Sequence, residues 1–185
     1  MTRLLDLTIG ALALLLFSPL LAAAAVAIRL EGGGPALYRQ RRVGRDGEIF
    51  ELLKLRTMVA GSDPVGIGTA VTRDDPRVTR VGRLLRRFSL DEVPNLINVL
   101  RGEMSIVGPR PLPQRDFDRL EEWHKKRYLV LPGITGLWQV SGRSELDFDD
   151  LVRLDFLYLE RWSVFLDLTI ILKTLPAVLK GKGAF

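Results

Sequence analysis

The residues best placed to do chemistry in this chain are two adjacent carboxylates, Asp91 and Glu92, in Ser89-Leu90-Asp91-Glu92-Val93-Pro94-Asn95. Pro94 lacks an N–H and is comfortable only near a helix start. Ser89 and Glu92 have capping-box spacing, and Leu96-Ile97-Asn98-Val99-Leu100 continues as helix. Both acids are therefore expected in or beside a first helical turn, where unsatisfied amides favour negative charge. That position suits a nucleophilic carboxylate, a metal ligand or a phosphate, and equally an ordinary pair of first-turn acids. Elimination sharpens the choice. With no cysteine, disulfides, thiolate catalysis and Cys-based metal sites are excluded. The single histidine, His124, lies in the charged stretch Glu121-Glu122-Trp123-His124-Lys125-Lys126-Arg127, which reads as solvated. A multi-histidine metal site is impossible, so acids, bases and nucleophiles must come mainly from Asp, Glu, Lys, Ser, Thr or Tyr.

Cations surround these acids in the sequence. Lys and Arg number 27 against 22 Asp and Glu, a net charge of +5 that suits nucleic acid, an acidic membrane surface or a phosphorylated substrate. If Ile49–Met58 is a strand rather than a helix, Lys54 and Arg56 project from one face and suit a diphosphate, or a solvated edge. Gly108-Pro109-Arg110-Pro111 is a rigid turn that restricts one guanidinium, the side chain suited to bidentate phosphate recognition. The block from Pro132 to Arg143 carries three glycines, which suggests backbone shaped around a ligand or a structural loop. Between Val78 and Phe88, apolar Val78, Val81, Leu85 and Phe88 recur at helical spacing, and Arg80, Arg83 and Arg87 form a second stripe. That stripe reads as a solvated face, a membrane-surface contact or an anion-binding wall leading to Asp91. Without interleaved aromatics, nucleic acid is the weakest partner, and none is expected. Gly66-Ile67-Gly68 lacks the remainder of a phosphate loop.

The elements that must position these groups begin with an uncharged run from Leu7 to Ile28. Its length, roughly 33 Å as helix, is enough to cross a hydrocarbon core. The run exceeds the ~7–15 apolar residues of a signal peptide, and Asp6 weakens the charged start. Ser18-Pro19 sits near its middle, where proline removes a backbone bond and serine can bond back to a freed carbonyl. Arginines flank both sides, Arg3 before and Arg29, Arg39, Arg41, Arg42 and Arg45 after, which places both flanks in the cytoplasm. A helix broken at Ser18-Pro19 and returning to its own face satisfies both constraints; a simple span is the rival. The turn cluster Glu31–Pro35 marks the boundary, so residues 1–30 form a re-entrant membrane helix and 31–185 a cytoplasmic catalytic domain. Asp46-Gly47 marks a hairpin turn, residues 61–76 a loop and a candidate lid, and Trp162–Leu179 an apolar tail suited to lying on a membrane surface.

Taken in order, these segments resemble the small monotopic phosphoglycosyl transferases, the polyprenyl-phosphate glycosyl-1-phosphate transferases. The resemblance spans nearly the whole chain. It is carried by Ser18-Pro19, Gly34-Pro35 with Gln40-Arg41-Arg42-Val43-Gly44, Lys54-Leu55-Arg56-Thr57-Met58, Thr79-Arg80-Val81-Gly82 and Ser89-Leu90-Asp91-Glu92-Val93-Pro94. It continues with Gly102–Pro111, Pro132-Gly133-Ile134-Thr135-Gly136 and Asp155-Phe156-Leu157-Tyr158. One departure is Thr2-Arg3, where such proteins often carry Lys-Arg.

The resemblance implies transfer of a sugar-1-phosphate from a UDP-sugar to polyprenyl phosphate, release of UMP, Mg2+ and a covalent phosphosugar–aspartate. On that basis Asp91 is expected to be the nucleophile and Glu92 to bind or position Mg2+. Lys54, Arg110 and Arg143 are expected to hold phosphate oxygens. The expected fold is α+β and mostly helical, with the re-entrant helix, amphipathic interfacial helices and a small irregular β element. The expected partners are the donor, the lipid acceptor and the bilayer; a homodimer is compatible with the chain but not demanded. The non-enzymatic alternative is a membrane-anchored basic binding module.

Overall fold

A computed structural model describes residues 2–32, 34–62, 75–117, 120–141 and 147–179. The first element, α1 (Arg3–Gly32), is long and apolar enough to cross a bilayer by length and composition. It runs through Ser18-Pro19 as one helix instead of stopping there. Pro19 cannot donate to the Leu15 carbonyl one turn back, and the Ser18 hydroxyl donates to that oxygen instead at 2.8 Å. Leu12, Leu15, Leu16 and Leu20, around this point, are exposed.

Next comes an antiparallel hairpin, β1 (Leu37–Val43) and β2 (Ile49–Leu55), registered from Leu37 opposite Leu55 to Val43 opposite Ile49. The turn falls where Asp46-Gly47 predicts it, with both residues at positive φ (57° and 81°). Lys54 lies on β2, but Arg56 lies beyond its end. There Arg56 donates to the Pro35 carbonyl and stacks over Tyr38, so it does not share an anion site with Lys54.

Helix α2 (Arg80–Arg87) starts at Thr79, whose hydroxyl accepts the Gly82 N–H at 2.9 Å. Its apolar side joins Val81 and Leu85 to Ala24 and Ile28 of α1. Helix α3 (Asn95–Arg101) ends at Gly102, where φ of 86° makes a left-handed cap. Buried Asn98 ties α3 to the hairpin: its Oδ1 accepts the Leu53 N–H at 3.1 Å and its Nδ2 donates to the Glu51 carbonyl at 2.7 Å.

The rest is a short parallel pair, β3 (Ser105–Val107) and β4 (Gly133–Thr135), with helices α4 (Gln114–Phe117), α5 (Glu122–Lys125), α6 (Leu137–Ser141), α7 (Phe148–Glu160) and α8 (Val164–Leu179). The architecture is mostly helical with a small β component, as the sequence predicts. The main core joins Phe50, Leu52, Val99, Met104, Ile106, Val107, Tyr158 and Ile170. On α8, Asp167 faces inward and accepts from Tyr158 Oη at 2.8 Å, while Phe165, Leu168, Leu172 and Leu175 form an exposed apolar stripe.

One expectation is corrected and one choice is narrowed. His124 is buried, not solvated: Nδ1 accepts the Glu121 N–H at 3.1 Å and Nε2 meets Asp149 at 3.1 Å, fastening α5 to α7. Of the two readings of the Pro132–Arg143 block, the structural loop is the one Gly133 and Gly136 support, since both let backbone meet backbone. A Cβ on Gly133 would lie 2.1 Å from the Gly108 nitrogen, and one on Gly136 2.4 Å from the Gly108 carbonyl oxygen.

Gly82 is equally constrained, since a Cβ there would lie 2.1 Å from the Thr57 carbonyl oxygen. Neither partner is a flexible side chain, so Gly82→Ala must push α2 off the Thr57 backbone. The expected loss is roughly 2 kcal/mol or more, read as a lower midpoint in thermal unfolding of the detergent-solubilised protein. An unchanged midpoint would mean that this close approach is not present.

Candidate active site

Asp91 and Glu92 occupy a single 3₁₀ turn, Leu90–Glu92, between α2 and α3. The predicted capping box does not form. Ser89 adopts the left-handed region (φ 52°, ψ 25°), at a cost of about 1 kcal/mol for a non-glycine residue, and its side chain caps nothing. The reason is long-range: the Glu92 carboxylate is held by cations from two other elements. Lys54 on β2 donates to Oε1 at 3.0 Å; Arg110, just after β3, donates through Nη1 to Oε2 at 3.1 Å and through Nη2 to Oε1. This is a bidentate, charge-assisted fork, with Glu92 and Lys54 side chains only 19% and 16% exposed. The helix then begins after Pro94, in keeping with proline at a helix start.

Asp91, by contrast, accepts no hydrogen bond from the described residues. Its environment is electrostatic. Burial raises its pKa above the usual carboxylate range, the Glu92 charge adds to that rise, and Lys54, Arg86 and Arg110 oppose it. Burial opposes ionisation of Glu92 too, but Arg110 and Lys54 outweigh it and hold that carboxyl far below its usual value. Two neighbouring carboxylates are thus driven apart, one locked ionised and the other made a stronger base.

Arg86 was not among the residues predicted from sequence. It sits in the last turn of α2, donates through Nε to Thr57 Oγ1 at 2.9 Å, and feels the Asp91 charge. A recoverable signal existed: Gly82 and Arg86 are four apart, hence on the side of α2 that approaches another chain segment closely.

Arg110 is itself braced. Fully buried Arg127 donates through Nη2 to the Arg110 carbonyl at 2.9 Å and pairs with Asp155 at 2.6 Å. Arg42 donates to the Pro111 carbonyl at 2.7 Å. Behind Arg110 a cavity of about 10 Å³ is lined by Arg42, Leu52, Asn95, Met104, Pro111 and Gly133. That is room for one water, not for a substrate.

The structure therefore brings together Asp91, Glu92, Lys54 and Arg110 and adds Arg86. Arg143 lies outside the described residues, as does most of the predicted loop at 61–76. Ser18 and Pro19 lie in α1, remote from this cluster in the chain.

A family model described as bacterial sugar transferase matches residues 1–181. The chain belongs to the bacterial sugar transferase family. Among its relatives, the UDP-glucose:undecaprenyl-phosphate glucose-1-phosphate transferase of Caulobacter vibrioides is 47% identical over 192 residues, covering 99% of this chain and 71% of that one. The exopolysaccharide production protein ExoY of Rhizobium meliloti is 41% identical over 197 residues, covering 97% and 86%. The undecaprenyl-phosphate galactose phosphotransferase of Salmonella typhimurium is 41% identical over 167 residues, covering 83% of this chain and 35% of its own length. The chain thus spans most of some relatives and less than half of others. Members of this family are transferases, so the carboxylate–cation cluster belongs to an enzyme.

The opposed shifts predict opposite stability effects. Asp91 has a raised folded pKa, so ionising it at neutral pH costs stability; Asp91→Asn removes that cost and should raise the melting midpoint. Glu92 has a depressed pKa and stabilises the fold at all pH values above its unfolded pKa. Glu92→Gln leaves Lys54 and Arg110 without their counter-charge and should cost about 3–5 kcal/mol. Thermal unfolding of both variants at neutral pH checks the pair; a shift of the same sign for both contradicts the electrostatic assignment.

Proposed function

We propose that the protein transfers a sugar-1-phosphate from a UDP-sugar to a polyprenyl phosphate such as undecaprenyl phosphate, releasing UMP, with Asp91 as nucleophile. What supports this reading is the Asp91 carboxylate, which accepts no hydrogen bond from the described residues, next to the Lys54–Glu92–Arg110 fork and under the opposing charges of Lys54, Arg86 and Arg110. Both substrates are phosphate anions, and an anionic nucleophile can approach phosphorus only where cations offset the repulsion.

In the first step an Asp91 oxygen forms a bond to the sugar-linked phosphorus. The bond from that phosphorus to the oxygen bridging to UMP breaks, and UMP departs with the electron pair. In the second step an oxygen of polyprenyl phosphate attacks the same phosphorus, and the Asp91 carboxylate leaves. Glu92 fixes Lys54 and Arg110, whose remaining N–H donors are available to phosphate oxygens. Arg143 is proposed as a further phosphate ligand on its sequence position alone.

The residues fit Mg2+ in a limited way. Mg2+ binds through one or two carboxylates together with substrate phosphates and waters. Asp91 offers open oxygens, whereas both Glu92 oxygens are taken by Lys54 and Arg110. Asp91 would hold the ion, and bound Mg2+ would neutralise phosphate charge.

For the anchor we infer a re-entrant path, with the enzyme on the cytoplasmic face of the bacterial inner membrane. Both ends of α1 dock on one body, which supports this. At one end Arg3 donates to the Val99 and Leu100 carbonyls at 2.5 and 2.8 Å, and buried Asp6 accepts from Ser105 Oγ and the Ile106 N–H, both at 3.0 Å. At the other, Glu31 accepts the N–H groups of Arg80 and Val81 at 2.7 and 2.9 Å. Exposed Phe165, Leu168, Leu172 and Leu175 of α8 support an interfacial helix.

Asp91→Asn should lower turnover by at least about 10³-fold while the fold persists; near-normal transfer would remove Asp91 as nucleophile. With donor labelled in the sugar phosphate and no acceptor, wild type should carry label on protein and release UMP. Because Asp91 must be ionised to attack, activity should rise with pH through a value above the usual aspartate range, with Glu92 ionised throughout. A cysteine at position 2 should be labelled from the cytoplasmic side only; labelling from outside would make α1 a simple span.

A further inference from the structure

The three sides of α2 have different fates. Val81 and Leu85 pack on α1, while Gly82 and Arg86 share the side that meets Thr57, from which the Arg86 charge acts on Asp91. The remaining side, Arg80, Arg83, Leu84 and Arg87, has the i, i+3, i+4, i+7 spacing of one helical face, and all four residues are exposed. Leu84, 56% exposed, stands among the three arginines. The helix contains no acid. The Arg80 charge acts on Glu31, Arg83 donates through Nη1 to the Val78 carbonyl at 3.2 Å and Arg87 lies over the Phe88 ring, but none of the three guanidinium groups lies within salt-bridge distance of a carboxylate among the described residues. Such a face is basic with an apolar centre, and the protein leaves it uncovered.

Its position decides what it meets. The N-terminus of α2 is bonded to Glu31, and Arg29 and Glu31 are the first charged residues after the apolar run ending at Ile28. The helix therefore begins within one turn of the point where α1 passes from apolar to charged. In a bilayer that is the level of the lipid headgroups.

We propose that Arg80, Arg83, Leu84 and Arg87 form a docking face for the headgroups of anionic phospholipids, with Leu84 dipping among the acyl carbonyls. The inference rests on the membrane-anchored reading given above. Guanidinium groups bind phosphodiester oxygens through paired N–H donors, and their long apolar stems tolerate the interface. The face is distinct from the reacting centre, because Arg86, on another side of the helix, is the α2 residue that addresses Asp91. Its effect is to fix the rotation of α2, and with it Arg86, relative to the membrane plane.

The absence of cysteine makes a direct test available. Full-length Leu84→Cys, labelled with an environment-sensitive fluorophore, is reconstituted into phosphatidylcholine vesicles with or without phosphatidylglycerol. Nitroxide-bearing lipid and aqueous acrylamide serve as competing quenchers. Phosphatidylglycerol should increase lipid quenching and protect from acrylamide, and high salt should reverse both. Replacing Arg80, Arg83 and Arg87 with Gln should reduce the docked-to-free ratio by about fivefold per guanidinium, whereas Lys at all three should largely restore it.

Equal quenching in the two lipids, or quenching indifferent to the Gln changes, overturns the proposal. UMP release in detergent, measured on the same variants, should be unchanged by the Gln substitutions; a loss there, with lipid quenching intact, would assign the face to substrate instead. If wild type responds to phosphatidylglycerol but never releases UMP, the docking face stands and the proposed reaction falls.

Discussion

The structure around the Asp91-Glu92 turn depends on one carboxylate being held by two cations. Glu92 sits between Lys54 of the hairpin and Arg110 of the turn after β3, and it is the point where three otherwise separate parts of the chain meet. Each of the three charges would be costly to bury alone, on the order of several kcal/mol. Together they are tolerable, and the arrangement has one geometry. This explains features that look unfavourable in isolation. Ser89 accepts a left-handed backbone and Glu92 gives up an N-cap, because the 3₁₀ turn is what aims Glu92 at both partners. Behind Arg110, the buried Arg127–Asp155 pair grips its carbonyl, so the fork cannot drift. Burial raises Asp155 to about 6 despite Arg127, a sign that this brace also works against desolvation.

Helix α1 frames the same turn from outside. Arg3 bonds carbonyls at the C-terminal end of α3, where a cation suits the helix dipole, and Glu31 bonds amides at the N-terminal end of α2, where an anion does. The Asp91-Glu92 turn lies between the other ends of those two helices. A single apolar helix with opposite charges at its ends thus sets both elements that flank the dyad. The apolar helix and the Asp91-Glu92 turn are in this sense one construction, since a displacement of α1 would be felt directly at α2 and α3.

Much of this was legible in sequence because it is local. Pro94 near a helix start, the Asp46-Gly47 hairpin, the apolar periodicity of α2 and the length of α1 all follow from short-range rules, and the structure keeps them. The carboxylate pair and its cations Lys54 and Arg110 were readable from residue type and from turns that restrict direction. What failed was decided by contacts distant in the chain. Ser89 and Glu92 satisfy the capping pattern, but Lys54 and Arg110, 38 and 18 residues away, take the Glu92 oxygens. His124 looks solvated among charges, yet Asp149 from α7 covers it. Arg86 was lost among neighbouring arginines of the same helix because composition does not say which face turns inward; the glycine four residues before it does.

The two carboxylates are not interchangeable, and their surroundings explain why the proposed reaction is assigned to Asp91 and not to Glu92. A nucleophile toward phosphorus needs a free lone pair and basicity. Glu92 has neither: charge-assisted bonds occupy both its oxygens, and its proton affinity is driven down. Asp91 has no such bonds from the described residues and a raised proton affinity. Its charge is nonetheless compensated at a distance by Lys54, Arg86 and Arg110, which is the condition for an anion to meet a phosphate without prohibitive repulsion. Spending three cations directly on Asp91 would have stabilised the ground state and blunted the nucleophile. Holding two of them on its neighbour keeps them in place and, in the proposed reaction, leaves their outer N–H groups for phosphate and an Asp91 oxygen open.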